Sequence, residues 1–388
     1  MVDGAGKVLL PGFVNAHTHL PMTLMRGYGG GCDLHTWLNQ YIFPAEARLD
    51  SRAVAAGAGL GLAEMIASGV TCVADMYMHT GTIAEQILEA GISANLSCGG
   101  VYFGAPEDFS PETCGDCRNQ AALTEEWHGA GAGQILVDAS VHGEYTSNPP
   151  LWRWMAEYAA EHRLGMHVHV SETQSEHQAS LERWGKTPIQ ALDGCGVWDC
   201  GRSLAAHCVY TTEEDWALMA EKGISCVHNP WSNLKLGSGV APIPAMMRAG
   251  VNVALGTDGM SSHNSADLFS DIKLAAVLHN GVERDPMAVS AWAALEIATV
   301  NGARALGRDT GVIAPGKTAD LILVDLSAPN LIPCHDPVED LVFSAHGSNV
   351  EMNMARGQVI YEKGSFLTLD LERVRWEVEH YALPLIFG

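Results

Sequence analysis

Short runs of apolar, often β-branched residues recur along the chain, each followed by a loop and then by a stretch with helical periodicity. The runs at 12–16, 69–76, 91–99, 135–141, 165–170, 204–209, 223–227 and 251–256 read as strands, and amphipathic segments such as 53–67, 152–161 and 213–222 read as helices between them. Gly69, Gly91, Gly223 and Gly250 stand where a helix gives way to a strand. That is the helix C-cap signature, since glycine takes the left-handed conformation without a Cβ penalty. Strand and helix alternating this often imply a parallel sheet, and eight such units close into a (β/α)₈ TIM barrel, an α/β fold. No fixed sequence period repeats, which excludes a solenoid. After about residue 310 the texture changes. A turn-rich link at 312–320 is followed by short predicted strands at 321–325, 341–344 and 358–362 and by a terminal helix at 370–379. The expected organisation is a barrel over 11–310 and a small composite β-unit from 1–10 plus 311–388, a β-rich appendage built mainly from the C-terminal segment.

With 388 residues, 47% of them hydrophobic, the chain has ample material for such a core. Lys and Arg number 22 against 45 Asp and Glu, a formal charge of −23 spread along the chain. Such a surface repels phosphate backbones and anionic lipid, which argues against nucleic-acid polymers and membranes as partners. The first seven residues lack a signal peptide's apolar stretch, and no run approaches the roughly 18 apolar residues of a membrane span. Ten cysteines in a chain this long make no disulfide framework, so a reducing cytoplasm is expected. Cys114 and Cys117 have CxxC spacing, but without a second pair the bland reading is preferred to a zinc or redox site.

In barrel enzymes the reacting groups project from the C-terminal ends of the strands. The first predicted strand ends in His17 and His19, whose i, i+2 spacing points both to one side, so that both can reach one metal. The fourth ends in His142, the fifth in His167, His169 and Glu172, the sixth in His207, the seventh in His228 and the eighth in Asp258. A lone histidine at a strand end is usually a hydrogen-bonded structural residue, and His142 or His228 taken singly reads that way. The whole set reverses the balance, because scattered structural histidines would not all choose the same end. A metal site is expected. Residues 138–144 hold no lysine that could, once modified, bridge a second ion, so one divalent cation is expected. One zinc-enzyme scaffold, that of the nucleobase deaminases, pairs His-x-Glu with Pro-Cys-x-x-Cys. Here His142 and Glu144 match only the first half, which excludes it.

The runs PGFVNAHTH (Pro11 to His19), HNPWSNLKLGSG (His228 to Gly239) and LGTDG (Leu255 to Gly259) resemble the first-, seventh- and eighth-strand motifs of the amidohydrolase superfamily, and most closely those of its deaminases. The resemblance extends from residue 8 to about 362. It implies one cation, Zn²⁺ or else Fe²⁺, held by His17, His19, His169 and Asp258, which lowers a water's pKa from about 15.7 toward about 7. It also implies that Asp258 takes the water's proton and that His207 keeps the water in line. Glu172 then protonates a ring nitrogen as the neighbouring amino-bearing carbon is attacked. His167 is expected to stand behind the site. Members of this family carry a longer segment ahead of the first barrel strand, so the N-terminal half of the small unit is expected to be truncated. A homo-oligomer is the family's habit.

The loop after the first strand, with Leu34, Trp37 and Leu38 followed by Pro44 and Glu46, is similar to a stretch of the S-adenosylhomocysteine/5′-methylthioadenosine deaminase group within that superfamily. The resemblance implies that Glu46 binds ribose hydroxyls and that Trp37 packs on the substrate; the bland alternative makes Trp37 core and Glu46 a helix cap. It further implies that His142 contacts a purine nitrogen and that Arg118 meets an amino-acid tail. Gly143 and Glu144 stand where the group shows Pro or Ala, adding a carboxylate beside His142. The expected reaction is deamination of an adenosine-type nucleoside: 5′-methylthioadenosine, S-adenosylhomocysteine, adenosine or 5′-deoxyadenosine. The alternatives are an aminohydrolase of guanine, pterins or triazines, and a non-catalytic barrel scaffold, which would lack histidines or Asp at its strand ends.

Overall fold

The computed structural model describes residues 4–388; residues 1–3 of the segment assigned to the small unit lie outside the described residues. Strand β1 (Lys7–Pro11) leads into β2 (Phe13–His19), the first of the parallel strands. The others are β3 (Val70–Met76), β4 (Ser93–Ser97), β5 (Ile135–Gly143), β6 (Gly165–Val170), β7 (Ser203–His207), β8 (Ile224–His228) and β9 (Val253–Leu255). They pair in chain order, and a two-residue strand, β10 (Asp258–Gly259), pairs with β2 at Thr18 and His19. The eighth barrel strand is thus split: β9 completes the ladder with β8, β10 completes it with β2, and the ring closes. All eight strands read from the sequence are present, with ends shifted by a few residues.

These strands are buried along nearly their whole length, as parallel strands packed between a barrel interior and an outer ring of helices must be. The helices Ser51–Ala67, Pro149–His162 and Glu213–Lys222 occupy the expected segments. Gly91 (φ 87°) and Gly223 (φ 68°) end their helices in the left-handed region and return their N–H groups to the carbonyls of Ile87 and Met219.

The helix Val300–Leu306 packs against β2, β7 and β9, and its Ala303, Ala305 and Leu306 join Val14, Ala16, Cys72, Ala74 and Ala254 in one apolar plug. Small side chains let this plug fit inside the ring. Below it, Arg202 pairs with the buried Asp138 and Arg308 donates to Asn95 and to the Gly133 carbonyl. The barrel axis is therefore plugged toward the N-terminal ends of the strands, and the strand-end histidines and Asp258 lie at the opposite, C-terminal end.

A second, antiparallel sheet has the order β1-β11-β12-β13-β14, with β11 (Leu321–Asp325), β12 (Val350–Ala355), β13 (Gln358–Glu362) and β14 (Ser365–Phe366). The strand expected at 341–344 is not there. Instead Pro337–Phe343 is a helix, started by Asp336, whose side chain accepts from the N–H groups of Val338 and Glu339, with proline in its first turn. Leu341 and Val342 are buried as one face of that helix. The sheet's central strand is β12, whose Met- and Asn-rich sequence carries little strand signal. The terminal helix Leu371–Glu377 continues through Val378–Ala382 to Leu383–Phe387. It is tied to the barrel by Arg52–Glu377 and by Arg48, which donates to the Ile386 carbonyl.

Candidate active site

Four histidines and an aspartate converge at the open end of the barrel. His17 and His19 leave β2 on the same side, His169 comes from β6, His207 ends β7 and Asp258 begins β10. The ligand atoms of His17, His169, His207 and Asp258 all lie within 4.8 Å of one another. His19 adjoins them, its Nε2 3.1 Å from Asp258 Oδ1 and 3.3 Å from His169 Nε2. The expected ligand set, His17, His19, His169 and Asp258, is thus brought together, with His207 beside it.

The outward ring nitrogens are all engaged. His19 Nδ1 donates to the Met76 carbonyl (2.5 Å), His169 Nδ1 to the His142 carbonyl (2.7 Å) and His207 Nδ1 to Asn233 Oδ1 (2.8 Å). His17 Nδ1 lies 2.8 Å from His167 Nε2, which places His167 behind the site as expected. Since a carbonyl can only accept, His19 and His169, when neutral, each present a bare Nε2 lone pair to the centre; burial opposes a charge on His19, but with no cation bound its hydrogen bond to Asp258 raises it to about 9. Two such lone pairs 3.3 Å apart repel unless a cation, or a proton on His19, lies between them. His17 Nε2, fully buried, has no hydrogen-bond partner, though Asp258 Oδ1 is 3.3 Å away. Asp258 Oδ2 is saturated by Ser232 Oγ (2.6 Å) and Ser262 Oγ (2.8 Å), leaving Oδ1 to face the histidines. Burial opposes a charge on Asp258, yet the imidazoles of His17 and His19 facing it hold its carboxyl well below the usual range. Three imidazole nitrogens and a carboxylate oxygen, each oriented from behind, are the donor set of a divalent cation such as zinc. The residues fit one.

This centre is the floor of a cavity of about 430 Å³, a size that suits a small organic ligand. Glu172 reaches it from the loop after β6, with Oε2 3.9 Å from His207 Nε2. Burial raises the Glu172 carboxyl above its ordinary value of 4.5, so it retains a proton more readily than a free glutamate. His142 lines the wall, its Nδ1 3.1 Å from Thr146 Oγ1; burial, and then the charge of His19, lower it to about 4. Trp37 is buried and at the same time lines the cavity, so core and wall are one position. Glu46 caps no helix; it lines the cavity and accepts from the Tyr77 hydroxyl at 2.6 Å.

Arg118 is not brought to the site. It is exposed and donates to the Glu112 carbonyl at 3.0 Å. The same helix, Gly115–Trp127, turns Asp116 to the cavity instead, and residues two apart on a helix do not share a face. Glu144 also points away. Its fully buried carboxylate accepts from Arg183 Nη2 (2.7 Å) and Trp184 Nε1 (2.5 Å) at the end of the helix Gln174–Trp184.

Several supporting residues escape the sequence reading. Glu176 accepts from the N–H groups of Ser171 (2.8 Å) and Glu172 (2.7 Å) and so fixes the Glu172 loop. The Thr173-x-x-Glu176 capping box was its one available signal. Ser232 and Asn233 lie inside the seventh-strand motif without an obvious task until Asp258 and His207 are seen to need them. His207 (φ 74°) and Asp258 (φ 61°) hold left-handed backbone, the local strain common where function dictates the geometry.

Comparison with known proteins agrees with this geometry. The model of the amidohydrolase family matches residues 8–360. A 5-methylthioadenosine/S-adenosylhomocysteine deaminase of Dictyoglomus thermophilum is 42% identical over 387 residues, covering 100% of this chain and 89% of the relative. A 5′-deoxyadenosine deaminase of Methanothermobacter thermautotrophicus is 40% identical, covering 99% of this chain and 89% of its own. Among solved structures, an adenosine deaminase of Xanthomonas campestris with bound zinc superposes with a TM-score of 0.91 at 33% identity, over 98% of this chain and 86% of that one. The zinc complex of an atrazine chlorohydrolase from Arthrobacter aurescens TC1 gives 0.89 at 25% identity, over 99% and 89% of the two chains. With barrel, strand-end histidines and family model coinciding over nearly the same residues, the chain belongs to the amidohydrolase family.

Proposed function

We propose that the protein is a metal-dependent deaminase that hydrolyses the amino group from the purine of an adenosine-type nucleoside, giving the inosine analogue and ammonia. Residues 11–310 carry the chemistry in this reading, and 1–10 with 311–388 form the accessory β-unit. His17, His19, His169 and Asp258 hold one divalent cation, zinc or iron, and His207 stands beside it. Bound there, the cation makes a water acidic enough to be a nucleophile at neutral pH. Asp258 Oδ1 would take a proton from the nucleophilic water, and His207 Nε2 would keep its oxygen directed at the ring. Glu172 gives its proton to the ring nitrogen next to the amino-bearing carbon. A carbon–oxygen bond forms, the carbon–nitrogen bond breaks, and the amine leaves as ammonia after a second proton transfer. His142, kept neutral by its surroundings, hydrogen-bonds another purine nitrogen, Trp37 supplies a flat wall, and Glu46 accepts the two ribose hydroxyls.

The observation that carries this reading is the placement of Glu172 and Glu46 in one cavity with the histidine–aspartate cluster. A proton-donating carboxyl sits at the floor, and a second carboxylate is left for a sugar. Glu46 favours a nucleoside over a bare guanine, pterin or triazine ring. Among the described residues no helix is long and apolar enough to cross a membrane, which fits a small-molecule substrate met in a reducing cytoplasm. Metal analysis of the purified protein, with ammonia release measured on adenosine, 5′-methylthioadenosine, 5′-deoxyadenosine, S-adenosylhomocysteine and guanine, tests the proposal. The expected result is about one zinc or iron per chain and turnover confined to the nucleosides. A metal-free protein, or turnover of guanine alone, overturns it.

A further inference from the structure

The cavity has one more compositional feature. Its acidic lining residues are Glu46, Asp116, Glu172 and Asp258, and no lysine or arginine lines it among the described residues. Two cations in neighbouring segments are engaged elsewhere: Arg118 donates to the Glu112 carbonyl at 3.0 Å, and Lys235 donates to the Ser261 carbonyl and to Asn264 Oδ1, both at 2.6 Å. The mouth is apolar. Phe43, Met78 and Phe103 line it while remaining 44%, 39% and 80% exposed, and Val101 and Leu34 lie between them. Asp116 is the charge among them, held in place by the Val101 N–H, which donates to Oδ2 at 2.8 Å.

Resting on the nucleoside reading above, the purine occupies the floor and the ribose lies at Glu46. The 5′ substituent then has only this mouth to extend into. We infer that the mouth is a selectivity filter for the 5′ group: it takes an uncharged alkyl or thioether substituent and rejects one that carries an anion, whether carboxylate or phosphate. An apolar group gains contact with Phe43, Met78 and Phe103. A carboxylate there loses part of its hydration, finds no donor cation and meets the like charge of Asp116.

Binding calorimetry on the metal-loaded protein with 5′-methylthioadenosine and S-adenosylhomocysteine, run beside ammonia release on both, tests this. The expected result is a preference of at least about tenfold for the methylthio compound. Two variants sharpen the reading. Asp116→Asn is expected to raise the S-adenosylhomocysteine to 5′-methylthioadenosine ratio by removing the repulsion. Phe103→Arg, at an exposed position that folding does not need, is expected to raise it further by offering a guanidinium to the carboxylate. Equal or tighter binding of S-adenosylhomocysteine overturns the inference. So does a fall of the ratio in Asp116→Asn, which would mean that Asp116 holds the ammonium of the tail. Selective binding without ammonia release leaves the filter standing and overturns the deaminase reading alone.

Discussion

Glu172 Oε2 and His207 Nε2 face each other across the cavity floor at 3.9 Å, the one raised by burial and the other fixed from behind by Asn233. That gap is wider than a hydrogen bond, so in the proposed reaction the two groups can stand on either side of the reacting carbon, coupled by charge but not bonded to each other.

Glu172→Gln is expected to keep the metal and the fold but lose about 10²–10⁴-fold in kcat, the usual contribution of a positioned acid–base. In the unmodified enzyme the reactive form is protonated, and burial raises that pKa above the ordinary 4.5. Activity therefore persists above the pH at which a free glutamate ionises and falls as pH climbs through the raised value. Near-normal turnover in the glutamine variant would exclude the assigned role.

Removing the cation is expected to destabilise the protein, because His17 Nε2 is left buried without a partner and the close His19–His169 contact must take up a proton in its place. A ligand present at 100 times its Kd adds about 2.7 kcal/mol. Thermal denaturation with a chelator, and again after zinc is restored, should show a fall in Tm that zinc reverses. An unchanged Tm after complete metal removal contradicts the fit.

Glu46→Ala should act mainly through substrate binding. Hydrogen bonds to a charged group contribute about 1.5–3 kcal/mol, so a rise in KM of roughly 10- to 100-fold on a riboside is expected, with a smaller change in kcat. If kcat falls and KM stays, Glu46 takes part in the chemistry and not in ribose recognition.

Glu144→Ala tests a residue outside the cavity. It strands Trp184 Nε1 and uncouples the segment after His142 from the helix that follows Glu172. Because Arg183 remains partly in solvent, a loss of about 1–2 kcal/mol is expected rather than the larger figure for a fully buried pair. Urea denaturation measures it, and a loss below about 0.5 kcal/mol would mean the carboxylate is dispensable.

Much of this was legible in the chain because it is local. A strand's apolar run, a glycine at a helix end and a histidine two residues from another are all set by neighbours in sequence, and the eight barrel strands and the set from His17 to Asp258 follow from them. What was hidden depends on distant partners. Val350–Ala355 is a strand because β11 and β13 flank it, not because Met352 and Asn353 favour one. Residues 341–344 look like a strand until Asp336 is weighed as a cap. Arg118 and Glu144 have the right chemistry for the cavity, yet helix phase turns the first outward and Trp184 draws the second away.

Gly256→Ala is the sharpest structural test at the seam. A Cβ there would lie 2.4 Å from Asn229 Oδ1 and 2.9 Å from His17 Cβ, closer than such atoms approach. A loss of about 1–3 kcal/mol is expected, together with weaker metal binding through the displaced His17. Calorimetric unfolding and a zinc titration report the two effects, and an alanine variant that matches the parent in both would rule out the constraint.

The split in the eighth strand gives this seam a further meaning. Asn15 spans it, donating to Thr257 Oγ1 (2.8 Å) and accepting from Thr257 N–H (3.1 Å), while Asp258 just beyond reaches His17 and His19 on the opposite lip. An ion gripped by both lips would work as a clasp on a hoop, joining the chain's earliest barrel strand to its last. Loading the ion would then reinforce a closure that Asn15 and the β10–β2 pairing already make, and in the apo protein opening should begin where β10 meets β2.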